Sequence, residues 1–414
     1  MSLGNRIKSL RKQKKMTQSE LIDGYLTKGT LSLIENDKTL PSIETLQKIA
    51  NKLGVSVFYL TQEGDEAWTE EMAEHFKDYF LKFPYDEIEE KILPNKDRIF
   101  TNDKGLFLLS MLRYYYRLNQ QHVEADNLHQ TIYKRLIENG LRHLAMRELI
   151  DHASSKLYSL EYEDALRTLQ QHKEEILSFK QHDSKIELSY LYIESILASA
   201  VENHALFVES SERIEALSFE TLQFQHYLDA IRIMALYYTY VDEDDKKLEY
   251  VSKVKKFLEF SPDPVREIEF RYEDTLYSKY SLIEQPDDIV EKLLAYKERS
   301  MDTIDTFVSN DTGKVEYLKL TLKSLDLEIE YLQGNYEFVL EHFDRSLYTF
   351  KIALHPIDRI DLKVRTLVYA LSLYKVGRIE EAKQEIMIVE NDLGPLMNSI
   401  YAVEIRKIKE MIYS

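Results

Sequence analysis

Four polar residues in one short stretch carry the most usable chemistry in the chain: Thr27, Lys28, Thr30 and Ser32. They interleave with Leu31 and Ile34, whose spacing of three sets those two on one face of a helix and leaves the polar groups on the other. A lysine ammonium can donate to guanine O6 and N7, and a threonine methyl can meet the thymine methyl. Thr27, Lys28 and Thr30 therefore suit base edges. Gln18, Ser32 and Lys38 are donors suited to phosphate oxygens, as is the basic run from Arg6 to Lys15.

Such a helix needs a scaffold, and the surrounding residues supply one. Leu3, Ile7 and Leu10 recur at helical spacing and predict an amphipathic first helix. Thr17 precedes Glu20 by three residues, the spacing of a capping box that opens a second helix containing Leu21 and Ile22. Gly24 is placed to end it. A third helix starts at Thr27 or Lys28 and runs to about Asn36. Pro41 and Ser42 precede a fourth, with an expected apolar stripe of Ile43, Leu46, Ile49, Ala50 and Leu53, stopped by Gly54. Val57, Phe58 and Leu60 close a small core.

This order and spacing over residues 3–62 resembles the Xre/Cro/phage-repressor class of helix-turn-helix domains. The resemblance implies that the third helix enters the major groove of duplex DNA. The turn between Thr17 and Glu35 is one residue shorter than the usual pattern, which is similar to PlcR and related peptide-sensing regulators. Leu33 stands where the class commonly carries Arg.

Charge divides the chain in the same place. Residues 1–62 hold ten Lys/Arg and five Asp/Glu, a balance of +5, and the remainder carries −23 of the total −18. A small basic head on an acidic body is the asymmetry expected when the head alone meets phosphates. The sequence reads as residues 1–62 for the head, 63–71 for a polar linker and 72–414 for a helical body.

Within the body, three segments match the turn that joins two helices of a tetratricopeptide unit. They are Gly377-Arg378-Ile379-Glu380-Glu381-Ala382, Gly334-Asn335-Tyr336-Glu337-Phe338-Val339 and Leu160-Glu161-Tyr162-Glu163-Asp164-Ala165. Extending that register gives marks at Ala125, Ala165, Val208, Leu248, Val290, Val339 and Ala382, 40 to 49 residues apart. The fold class expected is all-α: a five-helix Xre/Cro-type head, then a right-handed superhelix of about seven tetratricopeptide-like helix pairs. The inner surface of such a coil suits an extended peptide. Candidates to line it are Tyr190, Glu194, Arg232, Tyr237, Tyr272, Lys279, Lys323, Glu328, Arg365 and Tyr369.

Head and body together resemble the Rap/Rgg/NprR/PlcR/PrgX family of peptide-sensing regulators, on the side of NprR and PlcR. The resemblance implies a cytoplasmic homodimer acting in quorum sensing. It implies double-stranded DNA with a palindromic operator and a short signalling peptide as partners. An alternative reading is an adaptor that binds and inhibits a phosphorelay response regulator protein, with DNA binding secondary.

Enzyme chemistry has no support in the sequence. The chain has no cysteine, which excludes disulfides, thiolate metal sites and cysteine nucleophiles. It has no His-Glu-x-x-His, no Gly-x-Gly-x-x-Gly, no Walker-type loop and no nucleophile elbow. His122 with His129 and His143 with His152 lack supported metal-ligand spacing. No cofactor, no metal and no membrane span are expected.

Overall fold

A computed structural model describes residues 2–77, 84–181, 183, 185–263, 266–268, 270, 281–284, 287–306, 312–345 and 355–414, with the side chains of 305–318, 320 and 321 outside the description. Every regular element among these residues is a helix. No described helix is long and apolar enough to cross a membrane. The described residues form two compact units that divide between Ser155 and Lys156.

The first unit begins with five short helices: α1 (Leu3–Gln13), α2 (Gln18–Ile22), α3 (Lys28–Glu35), α4 (Ile43–Leu53) and α5 (Val57–Thr61). Side-chain caps start four of them. Thr17, Thr27, Ser42 and Ser56 accept from backbone N–H groups three residues ahead, which satisfies donors that a helix start leaves orphaned. The Thr17–Glu20 capping box is complete, with Thr17 N donating to Glu20 Oε2 at 2.6 Å. Asp23, at φ 43°, caps α2 one residue before Gly24, which is itself left-handed at φ 83°. Ile7, Leu21, Ile22, Leu31, Ile34, Leu46, Ile49, Ala50, Leu53 and Leu60 form one core. Ile43 is not part of the stripe expected of α4, because it is 84% exposed at the first residue of that helix.

Residues 66–71, read from sequence as the end of a linker, lie in α6 (Glu66–Phe76), capped by Asp65. The head also shares its unit with residues 84–155. Arg6, read as part of the basic face of α1, is buried. Its guanidinium donates to the carbonyls of Tyr59, Leu60 and Gln62 at 3.2, 2.8 and 2.7 Å, and it lies 4.7 Å from the ring centroid of Phe100. One side chain thus satisfies the carbonyl end of α5. The Gln62 amide pairs both ways with the backbone of Thr101, at 3.2 and 2.7 Å. A short α7 (Tyr85–Glu87) passes into π and 3-10 turns that reach Arg98, whose guanidinium sits 4.9 Å from the Trp68 ring.

Helical hairpins follow. They are α8 (Asp103–Leu118) with α9 (His122–Glu138) and, after α10 (Arg142–Lys156), α11 (Tyr162–Gln171) and α12 (Lys173–Ser178), α13 (Ile186–Ala200) with α14 (His204–Thr221). Next come α15 (Tyr227–Tyr240) with α16 (Asp244–Phe260), and α17 (Ile289–Thr306), which packs on α18 (Thr312–Leu332). Then α18 pairs with α19 (Tyr336–His342) and α20 (Pro356–Lys375) with α21 (Ile379–Leu393), and α22 (Val403–Tyr413) closes the chain.

Six of these turns share one geometry. A left-handed residue ends the first helix: Gln120, Leu160, Glu202, Asp242, Gly334 or Gly377, with φ between 58° and 84°. The next residue donates its N–H to the carbonyl five positions back, as in Gln121 to Tyr116 and Arg378 to Leu373, the long bond of a Schellman cap. The second helix then starts two residues after the left-handed one in every case. This common frame refines the register marks. Ala125, Ala165, Val339 and Ala382 sit five residues past the left-handed position and are fully buried. Val208 and Leu248 are one residue late. Phe207 is the buried residue in register, and Leu248 is 62% exposed. Val290 lies in α17, and the turn before it lies outside the described residues.

The second unit also carries contacts distant in sequence. Helix α20 packs on α13 and α15. Arg232 makes a two-pronged ion pair with Asp358 at 2.9 and 2.6 Å, and the Ser199 hydroxyl meets the Tyr401 hydroxyl at 3.1 Å. A hairpin array bound only through nearest neighbours would lack such contacts.

The shared turn makes a stability prediction with a change of sign. A Cβ at Gly377 would meet nothing within 4 Å, so Gly377→Ala is penalised only by its φ of 84° and should cost about 1 kcal/mol. Gln120→Gly relieves the same strain and should stabilise by somewhat less than about 1 kcal/mol, because glycine also widens the unfolded ensemble. Thermal unfolding of the two variants should move Tm in opposite directions.

Candidate nucleic-acid interface

The orientation of α3 is fixed from its buried end. Glu35 is almost wholly buried and accepts from Arg11 on α1 through two atoms, Nε at 2.6 Å and NH2 at 3.0 Å. It also accepts from Gln18 Nε2 on α2 at 2.8 Å. Arg11 reaches on to the Met16 carbonyl at 2.8 Å. One carboxylate thus ties three helices together. Burial by itself would raise the Glu35 pKa, but the bonds from Arg11 and Gln18 and the charges of Arg11 and Lys8 outweigh it and hold the carboxyl below its ordinary value. At the opposite end of α1, Gly4 lies against the end of α3. A Cβ there would fall 2.0 Å from the Ile34 carbonyl oxygen, so only glycine allows the two helices this approach.

The residues expected at DNA occupy three kinds of place. Lys28 and Lys38 are exposed and make no ion pair, and the same holds for Lys12, Lys14 and Lys15 at the end of α1. These five are the available cations of the head, whereas Arg6 and Arg11 are spent inside it. Thr27 and Thr30 bond to each other through their exposed hydroxyls at 2.8 Å while Thr27 caps the helix. Ser32 is half-buried on the flank of α3, and the Gln18 amide is committed to Glu35. The outermost ridge of α3 opposite Leu31 and Ile34 is Gly29, Leu33 and Asn36, a spacing that the leucine pattern already contained.

The residues expected to line a peptide groove are mostly engaged within the body. Tyr190 is fully buried and donates to Glu194 at 2.7 Å, and Glu194 accepts from Ser210 at 2.9 Å. Arg232 is held by Asp358, and Tyr237 packs edge-on against Phe207 with ring centroids 5.1 Å apart. Glu328 is fully buried. Arg365 pairs with Asp361 one turn back, and Tyr369 stacks on Phe343 at 4.4 Å. Lys323 is exposed and borders a shallow cavity of about 250 Å³ with Lys297, Met301, Ile304, Leu322 and Asp326. Tyr272 and Lys279 lie outside the described residues.

Sequence reasoning missed one buried ionic group altogether. Arg113 donates to both oxygens of Glu148 at 2.8 Å, and His129 meets Glu148 at 3.0 Å while stacking on His152 with ring centroids 3.7 Å apart. Only the spacing of apolar residues around Arg113 could have signalled its burial. No cluster of three or more His, Asp or Glu among the described residues is placed to hold a metal.

Glu35 gives the head a defined acid sensitivity. Its proton binds less readily in the folded head than at the ordinary 4.5 of the unfolded chain. Its contribution is therefore complete above about 4.5 and is lost as pH falls through the lower folded value. Glu35→Gln should cost about 2 kcal/mol at neutral pH and flatten the acid limb of a Tm–pH profile. An unchanged acid limb would contradict the assignment.

Comparison with known proteins gives three findings. The helix-turn-helix family matches residues 7–60. An immunity repressor protein of Bacillus phage phi105 is 38% identical over 76 residues, which is 18% of this chain and 52% of the repressor. The chain thus spans about half the length of that curated relative. A crystal structure of Bacillus thuringiensis PlcR in complex with the peptide PapR7 and DNA aligns with 67% of this chain and 99% of its own, at 13% identity and a TM-score of 0.42. The capped short helices, the buried core beneath α3 and the family match agree: residues 7–60 are a helix-turn-helix domain.

Proposed function

We propose that the chain is a DNA-binding transcriptional regulator of the Rap/Rgg/NprR/PlcR/PrgX type. Its head reads one half of a palindromic operator as part of a homodimer, and its hairpin body senses a short signalling peptide. The observation that carries the DNA reading is the exposed face of α3 with Lys28 at its first turn, in a head whose Lys12, Lys14, Lys15 and Lys38 are also exposed and make no ion pair. Cations held free of internal partners are available to displace counterions from phosphates. The likeness of the head to a phage immunity repressor supports a regulatory role.

Support for the peptide rests on the shortened turn before Glu35 and on the run of hairpins with one common turn. Of the ten residues considered, Lys323, Arg365 and Tyr369 keep accessible groups on two helices that pack together, α18 and α20. These three are the assigned peptide contacts. Tyr190, Glu194, Arg232, Tyr237 and Glu328 act within the body. Two heads joined in a dimer bind half-sites about 34 Å apart far more tightly than one head alone. A peptide then needs to favour one dimer arrangement by only a few kcal/mol to switch occupancy.

Duplexes enriched from a random library by the full chain provide the test. Lys28→Glu should weaken binding to the enriched duplex at least tenfold and lower the salt dependence by about one unit. Wild-type affinity in Lys28→Glu would refute the assignment of α3. Mass spectrometry of protein purified from its own cells should find a bound peptide of about five to ten residues, lost in a Lys323→Glu, Tyr369→Ala variant.

A further inference from the structure

On the outer ridge of α3, one residue has an exposure that folding does not account for and another has an identity that folding does not require. Gly29, Leu33 and Asn36 are spaced i, i+4 and i+7, opposite the buried Leu31 and Ile34. The Asn36 amide is committed, donating to the Ser32 carbonyl at 2.7 Å and accepting from Lys8 at 3.2 Å. Leu33 is 46% exposed, and it is the apolar side chain that this ridge offers to an incoming surface.

Gly29 lies inside the helix with an ordinary backbone conformation, and a Cβ there would meet nothing nearer than Thr27 Oγ1 at 3.8 Å. Neither turn geometry nor packing calls for glycine, and glycine weakens a helix relative to alanine. The position is instead suited to a close approach by another molecule, one helical turn before Leu33.

We propose that Leu33 is a specificity-determining residue that reads the C5-methyl of a thymine in the major groove, and that Gly29 lets the first turn of α3 come close enough for that contact. This rests on the reading of α3 as a DNA-contacting helix. The thymine methyl is the apolar group that distinguishes one base pair from the others in the major groove. An isobutyl group against any other base edge would bury polar atoms without pairing them. Leu33 thus replaces the arginine common at this place with a group that rewards T and penalises the alternatives.

The test uses the full chain and the duplex it enriches from a random library, with each thymine replaced in turn by deoxyuridine, which lacks only the methyl. In wild type, one replacement per half-site should weaken binding roughly fourfold, the value of one buried methyl-sized group. Leu33→Ala should bind thymine and deoxyuridine alike at that position, with its salt dependence unchanged. Gly29→Ala should melt no lower than wild type yet bind more weakly. If Leu33→Ala keeps the full preference for thymine, or no position in the wild-type half-site distinguishes the two bases, the proposal is overturned. Failure of the wild-type chain to enrich any duplex would overturn the DNA reading with it. Enrichment that Lys28→Glu abolishes, without any deoxyuridine effect, would overturn this proposal alone.

Discussion

The head depends on a single buried carboxylate. Glu35 sits at the end of α3 and collects a guanidinium from α1 and an amide from α2. An unpaired charge in that position would be strongly destabilising, so the three helices hold one mutual arrangement. Every group on the outer face of α3 inherits its aim from that constraint. The Thr27–Thr30 hydroxyl pair, the free Lys28 and the Leu33 ridge are fixed because the helix beneath them cannot roll.

The legible parts of the head were the local ones. Capping residues, apolar spacing and glycine stops depend on residues three to five apart, and the helix boundaries follow them closely. Less legible were positions whose fate depends on distant partners. Arg6 and Arg11 sit in a basic run and look like solvated charges, yet carbonyls more than 50 residues away claim Arg6 and Glu35 claims Arg11. Ile43 fits the helical period of its neighbours but falls at the first turn, ahead of the packed length of α4.

The body shows the same division. Gly334 and Gly377 announced their turns because glycine is the natural left-handed residue. Gln120, Leu160, Glu202 and Asp242 adopt the same backbone without any such signature, so two register marks drifted by one residue. The expected inner lining was read from helical faces alone. Contacts such as Arg232 with Asp358, 126 residues apart, arise from how hairpins meet, which no local pattern encodes.

The guanidinium cage of Arg6 bears on how such a chain can evolve. The carbonyl end of α5 is completed by Arg6, Arg6 is roofed by Phe100, and Gln62 is stitched to Thr101. A recombination that swapped heads at residue 62 would strip off that roof and leave both stitched amides without their mates. The head therefore ends, in structural terms, at Thr101 rather than at residue 62, and an exchange of heads that keeps the stretch up to Thr101 should be tolerated better than one cut at residue 62.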